Sequence, residues 1–228
     1  MMCVVGMGED PRTEGSSGLI SEGPWRAWLQ SPGGELPFGL EFRKDESGWH
    51  ATIINGAERI EVPQLTVGPT KVVLRIPHYD SMISAQLLDR GKRLEGEWKK
   101  RGRNDKWTKM PFYADAGDTY RFAACKVAGG HRAPGKAVAG RWAMKFTGDA
   151  EPAVGVFEEG EGAGVVGTVL TPTGDYRFLA GDFCGTQKSS GEVDGQLRLS
   201  AFDGAHAFLL KADVAGDGSL HGQFWSGD

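Results

Sequence analysis

Phe38-Gly39-Leu40-Glu41-Phe42 is the stretch that decides the fold, because large apolar side chains occupy every second position. In a β-strand, alternate side chains point to opposite faces, so this stretch predicts a strand with one buried face. Val72-Val73-Leu74-Arg75-Ile76 shows a related alternation. Glycine, aspartate, asparagine or proline interrupts such runs at intervals of about 8–12 residues, which is typical of β-sandwiches and barrels. The sequence therefore predicts an all-β protein.

A later part of the chain repeats this pattern in the same order. Gly23-Pro24-Trp25 corresponds to Gly140-Arg141-Trp142, and Gly39-Leu40-Glu41-Phe42 corresponds to Val154-Gly155-Val156-Phe157. Three further pairs follow, namely residues 51–54 with 167–170, 74–81 with 197–204, and 94–98 with 220–224. Ordered matches with small gaps predict one antiparallel β-meander duplicated in tandem. One large calycin-like barrel, two small barrels and a sandwich all fit this pattern.

The repeat also divides the chain. Residues 1–20 are rich in glycine and serine and form a flexible lead-in, 21–114 the first repeat, 115–139 a linker region and 140–228 the second repeat. The first repeat continues after residues 94–98 into another strand-like piece at 107–113, and the second has no counterpart of that piece. A meander without its last strand leaves backbone groups unpaired. We therefore expect the second repeat to be truncated and the chain to be a fragment.

Composition excludes several classes of function. With 26 Lys and Arg against 30 Asp and Glu, the net charge of -4 argues against a nucleic-acid binder. The one basic cluster, Lys99-Lys100-Arg101-Gly102-Arg103, is interpreted as cations that protect a sheet edge. No stretch approaches the roughly 18 apolar residues of a membrane span, and the first residues show no export signal. The three cysteines predict neither a disulfide framework nor a C-x-x-C motif.

Motifs that could carry chemistry have simpler structural explanations. Gly162-Ala163-Gly164-Val165-Val166-Gly167 satisfies G-x-G-x-x-G, but a β-type run follows it instead of a helix, so a hairpin loop is favoured over nucleotide binding. The histidines lack zinc spacing, so neither metal nor cofactor is predicted. Asp203 and His206 flank an Asp-Gly turn, and His78-Tyr79-Asp80-Ser81 is a similar turn. If a polar site exists, Asp203 and His206 are the first candidates.

Trp25 and Trp142 are the other candidate ligand-binding residues. Each stands in a G-x-W setting at the start of a repeat, as does the tryptophan that closes one end of lipocalin-like barrels. A tryptophan is also a good core residue whose N–H needs a partner. A barrel of eight strands can hold one small ligand. A carrier of a small hydrophobic ligand is therefore the alternative function.

Four stretches resemble the β-rich N-terminal region of bacterial TlpA-like thiol-disulfide oxidoreductases. They are residues 23–29, 49–56, 94–98 and 202–208. The resemblance implies an extracytoplasmic parent protein, periplasmic or in the cell envelope, in which a thioredoxin-fold domain with a C-x-x-C motif follows this region. The 228 residues contain no C-x-x-C, so no catalytic residue of the family has a counterpart here.

The expected function is a non-catalytic accessory or binding module of such an oxidoreductase, without its redox domain. We expect no disulfide reductase activity from this chain, because a reactive thiolate needs a lowered pKa and a resolving cysteine. The lipocalin-like carrier is the alternative. A third hypothesis, a hydrolase that uses His206 and Asp203, requires these side chains to converge with a serine or a water molecule in a cleft.

Overall fold

The computed structural model describes residues 19–102, 105–122, 135–147, 151–187, 193–215 and 217–227. Nearly all of the predicted lead-in and the middle of the predicted linker lie outside these residues. The described chain forms sixteen β-strands in two antiparallel sheets, and its only helical segments are short 3-10 turns. The predicted all-β fold is confirmed. Each sheet curls into a half-barrel.

The first sheet contains nine strands in the order β4-β3-β2-β1-β9-β8-β7-β6-β5. Strand β1 pairs on one side with β2 and on the other with β9, which joins the two halves of the meander. The edge strands β4 and β5 follow one another through Val62 and Pro63, so both edges meet at one bend of the chain. The strands are Gly23–Ser31 (β1), Gly34–Asp45 (β2), Gly48–Asn55 (β3), Glu58–Glu61 (β4), Gln64–Val67 (β5), Lys71–Ile76 (β6), Ser81–Leu88 (β7), Arg93–Arg101 (β8) and Trp107–Ala116 (β9).

The second sheet contains seven strands in strict chain order, from β10 at one edge to β16 at the other. It is therefore a simple meander, held together by hydrogen bonds between consecutive strands. Its strands are Gly140–Met144 (β10), Ala153–Glu159 (β11), Val165–Thr171 (β12), Gly174–Gln187 (β13), Val193–Phe202 (β14), Ala207–Val214 (β15) and Leu220–Ser226 (β16).

The strand registers repeat between the two sheets, in agreement with the sequence alignment. Trp25 lies opposite Leu40, and its counterpart Trp142 lies opposite Gly155. Each indole Nε1 donates to a carbonyl four residues earlier, at 3.0 Å to Ser21 and at 2.9 Å to Val138. The duplicated meander is thus visible at the level of single hydrogen bonds.

Two differences separate the copies. By its place in the strand order, the long strand β13 takes the position of both β4 and β5. Strand β9 pairs with β1 and β8 in the first sheet, whereas the second sheet has no described strand between β10 and β16. The second copy therefore has two open edges where the first has paired strands.

Each sheet has its own hydrophobic core, made by the inward residues of the alternating pattern. In the first core, Trp25, Trp98 and Phe112 are at most 2% exposed. Burial of each such side chain contributes roughly 1.5–3 kcal/mol. Phe202 and Leu209 of the second sheet also belong to the first core. The second core contains mainly aliphatic side chains together with Phe157 and Phe183.

Buried polar contacts join the two sheets. At the end of β3, Asn55 Nδ2 donates to the Phe202 carbonyl at 2.8 Å, and Asn55 Oδ1 accepts from the Phe202 N–H at 3.0 Å. Arg121, in the predicted linker, donates to Asn55 Oδ1 at 3.2 Å and to the carbonyl of Ser200 at 2.8 Å. Burial lowers the pKa of Arg121 to about 10, but the guanidinium stays charged at neutral pH.

The basic cluster lies on the β8–β9 hairpin, and the prediction that it protects a sheet edge is wrong. Both strands are paired on both sides, so this hairpin is not an edge. The cations instead contact neighbouring side chains: Arg101 pairs with Asp105 at 3.0 Å, and the Lys99 ammonium lies 5.0 Å from the ring centre of Trp107. These exposed pairs contribute about 1 kcal/mol or less each.

Candidate functional site

A polar cleft of about 390 Å³ lies near the contact between the two sheets. The end of β3 and the start of β4 supply Asn55 and Glu58, while the β14–β15 hairpin supplies Asp203 and His206. Strand β13 contributes Tyr176. The cleft therefore contains residues of both copies, and two of the four residues predicted to bind a ligand line it.

Asp203 organises the hairpin that carries it. Its Oδ1 accepts from the backbone N–H groups of Ala205 at 2.7 Å and His206 at 2.6 Å, and its Oδ2 lies 2.8 Å from His206 Nδ1. The turn needs Gly204, whose φ is +94° and whose missing Cβ leaves room for Ile76 of the first sheet. The Asp-Gly turn predicted from the sequence is therefore present, and it packs against the other copy.

The electrostatics of the cleft are acidic. Burial raises the pKa of Asp203, but hydrogen bonds from the His206 side chain and from the two backbone N–H groups outweigh it, so the net shift is downward. Burial also raises the pKa of Glu58, and the charge of Asp203 adds to this while a hydrogen bond from Asn55 opposes it. The pKa of Tyr79 is raised by burial and by both carboxylates. Glu58, Asp175 and Asp203 bring three carboxylates to the cleft lining, and Arg177, which pairs with Asp175 at 2.8 Å, adds one cation.

The Asp203–His206 pair has the contact that a hydrolase would need between base and orienting acid, and the hydroxyl groups in the cleft lining belong to Thr171 and Thr173. The Thr171 hydroxyl donates to the Gly174 carbonyl. Ser81, from the similar turn in the first copy, is buried, and its hydroxyl donates to the Gly204 carbonyl. Neither serine nor cysteine is among the described residues that line the cleft. The arrangement fits binding and turn formation better than nucleophilic catalysis.

The two tryptophans lie apart from this cleft. Trp25 is buried in the first core, where its ring packs edge-on against Phe42 with 5.5 Å between ring centres. Trp142 is half-buried beside the second core. The structure therefore brings Asp203 and His206 together but places Trp25 and Trp142 in two separate cores. Their ligand-binding role stays a prediction.

A groove lies between β10 and β16. The sequence predicted the missing strand that leaves this groove open, but not the groove itself. A cavity of about 190 Å³ there is lined by Trp142 and Met144 from β10, by Phe146 just after it, and by Leu220 and Phe224 from β16. The rings of Phe146 and Phe224 lie 5.7 Å apart. The missing counterpart of residues 107–113 was the signal that this side of the sheet would be open. Which side chains would line it could not be predicted without the register.

The glycine-rich motif is followed by a strand, as predicted. Glu161–Ala163 forms a single 3-10 turn, and β12 begins directly afterwards at Val165, so no helix follows the glycine-rich motif. Among the described residues, no group of three acidic, histidine or cysteine side chains is placed to hold a metal ion. The described chain also has no helix with the length and apolarity needed to cross a bilayer.

Cys184, on β13, is disulfide-bonded. The spacing of the cysteines did not predict any such bond. The two other cysteines, Cys3 and Cys125, both lie outside the described residues.

Comparisons with known proteins add no identification. No protein-family model matches the chain, and neither a curated protein nor a solved structure is significantly similar to it.

Proposed function

We propose that the chain is a non-catalytic β-module that serves another polypeptide domain, and that this domain is the redox domain of a TlpA-like thiol-disulfide oxidoreductase. The observation that carries the proposal is the open second sheet. Its edge strands β10 and β16 flank half-buried aromatic side chains, which is a surface suited to cover by more polypeptide. Four stretches of the sequence resemble the accessory region of these oxidoreductases, and this resemblance is the reason for proposing a TlpA-like parent protein.

The disulfide at Cys184 supports an extracytoplasmic location. Structural disulfides persist in oxidising compartments such as the bacterial periplasm and are rare in the cytosol of mesophiles. A disulfide-bonded cysteine is also not a free thiolate, so Cys184 is a poor candidate for redox catalysis. Both points agree with a module that accompanies redox chemistry without performing it.

The lipocalin-like carrier has less support. The interior of the first sheet is filled by large side chains, among them Trp25, Trp98, Phe38 and Phe112. The groove beside Trp142 has a volume of about 190 Å³, below the roughly 300–1,000 Å³ of typical ligand pockets. A cleft of about 460 Å³ lined by Val156, Leu170 and Leu179 lies within that range, but neither Trp25 nor Trp142 lines it.

Two experiments test the proposal. The first is to sequence the genomic DNA on both sides of the reading frame, where we expect an export signal upstream and a thioredoxin-type C-x-x-C downstream. Stop codons in every frame close to Asp228, with no such domain, would overturn the TlpA-like assignment. The second is an insulin reduction assay on the purified 228-residue chain with dithiothreitol as electron donor. A rate equal to the uncatalysed background is expected, and efficient reduction would overturn the non-catalytic role.

A further inference from the structure

The two open edges of the second sheet correspond to strands that are paired in the first. In the first sheet, β9 runs antiparallel to both β1 and β8, with Leu29 opposite Phe112 on one side and Trp98 opposite Met110 on the other. In the second sheet, β10 and β16 occupy the positions of β1 and β8. Among the described residues, β10 pairs only with β11, and β16 pairs only with β15.

Residues at matching positions differ in exposure as the missing strand predicts. Trp25 is 2% exposed, whereas its counterpart Trp142 is half-buried. Trp98 is fully buried, whereas its counterpart Phe224 is half-buried and lines the groove. The positions are equivalent in register, and β9 covers one side of Trp25 and Trp98 in the first sheet, where Trp98 also packs against Phe202.

The central glycines of β8 and β16 show that the two strands approach their inner neighbours alike. A Cβ at Gly96 would lie 2.1 Å from the Ser84 carbonyl oxygen, and one at Gly222 would lie 1.9 Å from the Lys211 carbonyl oxygen. Strand β16 is therefore packed on β15 as closely as β8 is on β7. Only its outer side differs from that of β8.

We propose that the β10–β16 groove is a strand-addition site, filled by one extended segment of polypeptide that matches β9 in length and side-chain pattern and pairs antiparallel with both edges. The inference rests on the proposed function, because it specifies how this module would bind another segment of polypeptide. Backbone hydrogen bonds on both sides supply the affinity, and alternate side chains supply the specificity.

The repeat sets the chemistry of the occupant. Strand β9 has ten residues, and its inward side chains Met110, Phe112 and Ala114 are buried while Lys109 and Pro111 are exposed. The occupant is therefore a strand of similar length with apolar side chains at every second position. By register, the residue equivalent to Met110 faces Phe224, and the residue equivalent to Phe112 faces Phe146.

The test adds the missing strand from the chain's own sequence. A copy of residues 103–116 is fused after Asp228, which places the Met110 equivalent opposite Phe224. The matched control carries the same extension with the Met110, Phe112 and Ala114 positions of the copy changed to aspartate. Amide hydrogen exchange is measured in the original and both extended chains, together with their oligomeric state by light scattering.

We expect exchange to slow at least about tenfold at residues 140–144 and 220–226 in the extended chain and not in the control. Equal exchange in the original and extended chains, or equal slowing in both extended chains, would overturn the proposal. A dimer of the original chain that already protects both edges would also overturn it, because a second copy would then be the occupant. These results do not depend on the flanking DNA or on the insulin assay, so the proposed function and this inference can fail separately.

Discussion

Asn55 is the residue at which the contact between the two copies can be tested most directly. Its amide forms two hydrogen bonds with the backbone of Phe202, which is fully buried, a third with Arg121 and a fourth with Glu58. Replacement by alanine removes all four. The N–H and C=O groups of Phe202 then lose the partners that satisfy them.

The expected cost follows from these groups. Each buried polar group left without a partner costs about 1–3 kcal/mol, so two such groups give a loss of roughly 2–6 kcal/mol in the free energy of unfolding. Water that enters the polar cleft beside Asn55 would move the value towards the lower end. The transition should stay cooperative, because neither core loses a side chain.

Urea unfolding followed by tryptophan fluorescence measures this loss. Thr171 provides the matched control, because it ends β12 as Asn55 ends β3, but its exposed hydroxyl contacts only its own turn, at the Gly174 carbonyl and the Thr173 hydroxyl. Thr171→Ala should change the unfolding free energy by about 0.5 kcal/mol or less. A loss below about 1 kcal/mol for Asn55→Ala, or equal losses for both variants, would refute the assignment of Asn55 as the contact between the sheets.

Three further predictions concern other parts of the chain. Glu58→Gln should leave stability at pH 3.5 unchanged and raise it slightly at pH 7.5. The pKa of Glu58 is raised, so the native state holds this proton more tightly than the unfolded state and loses stability as pH rises. Thermal melts at both pH values measure the difference, and a gain in stability confined to pH 3.5 would contradict it. Gly96→Ala should lower the free energy of unfolding by about 1–3 kcal/mol, and Gly222→Ala should lower it less, because the edge strand β16 can move outward. Equal losses in urea unfolding would argue that β16 is covered on both sides. Cys184→Ser should lower the free energy of unfolding by about 2–4 kcal/mol through loss of the disulfide. Three titratable thiols in the original protein, denatured without reductant, would show that no disulfide exists.

The sequence predicted the elements of the fold well, because both of its signals are local or periodic. Alternation at residues 38–42 is a property of one strand, and the repeat at Trp25 and Trp142 compares the chain with itself. The sheet orders and registers agree with both. The interpretation of the cations at 99–103 failed because whether a strand is an edge depends on pairing with residues far along the chain, in this case β9 with β1.

The site was less predictable for the same reason. Asp203 and His206 are three residues apart, so their contact follows from the turn itself. That Glu58 and Asn55 share their cleft depends on the packing of one sheet against the other, which no local pattern encodes. The disulfide at Cys184 is likewise a contact between distant segments, and cysteine spacing alone did not indicate it.

The contribution of Phe202 and Leu209 to the core of the first sheet has a consequence for how the protein can be divided. Duplicated domains often keep the autonomy of their ancestor, so that either half can be produced alone. Here the first half would lack Phe202, which packs against Phe38 at 4.5 Å and Trp98 at 5.6 Å between ring centres. The first repeat is therefore not an independent folding unit, and residues 19–122 expressed alone should be less stable than the same residues expressed together with the second repeat.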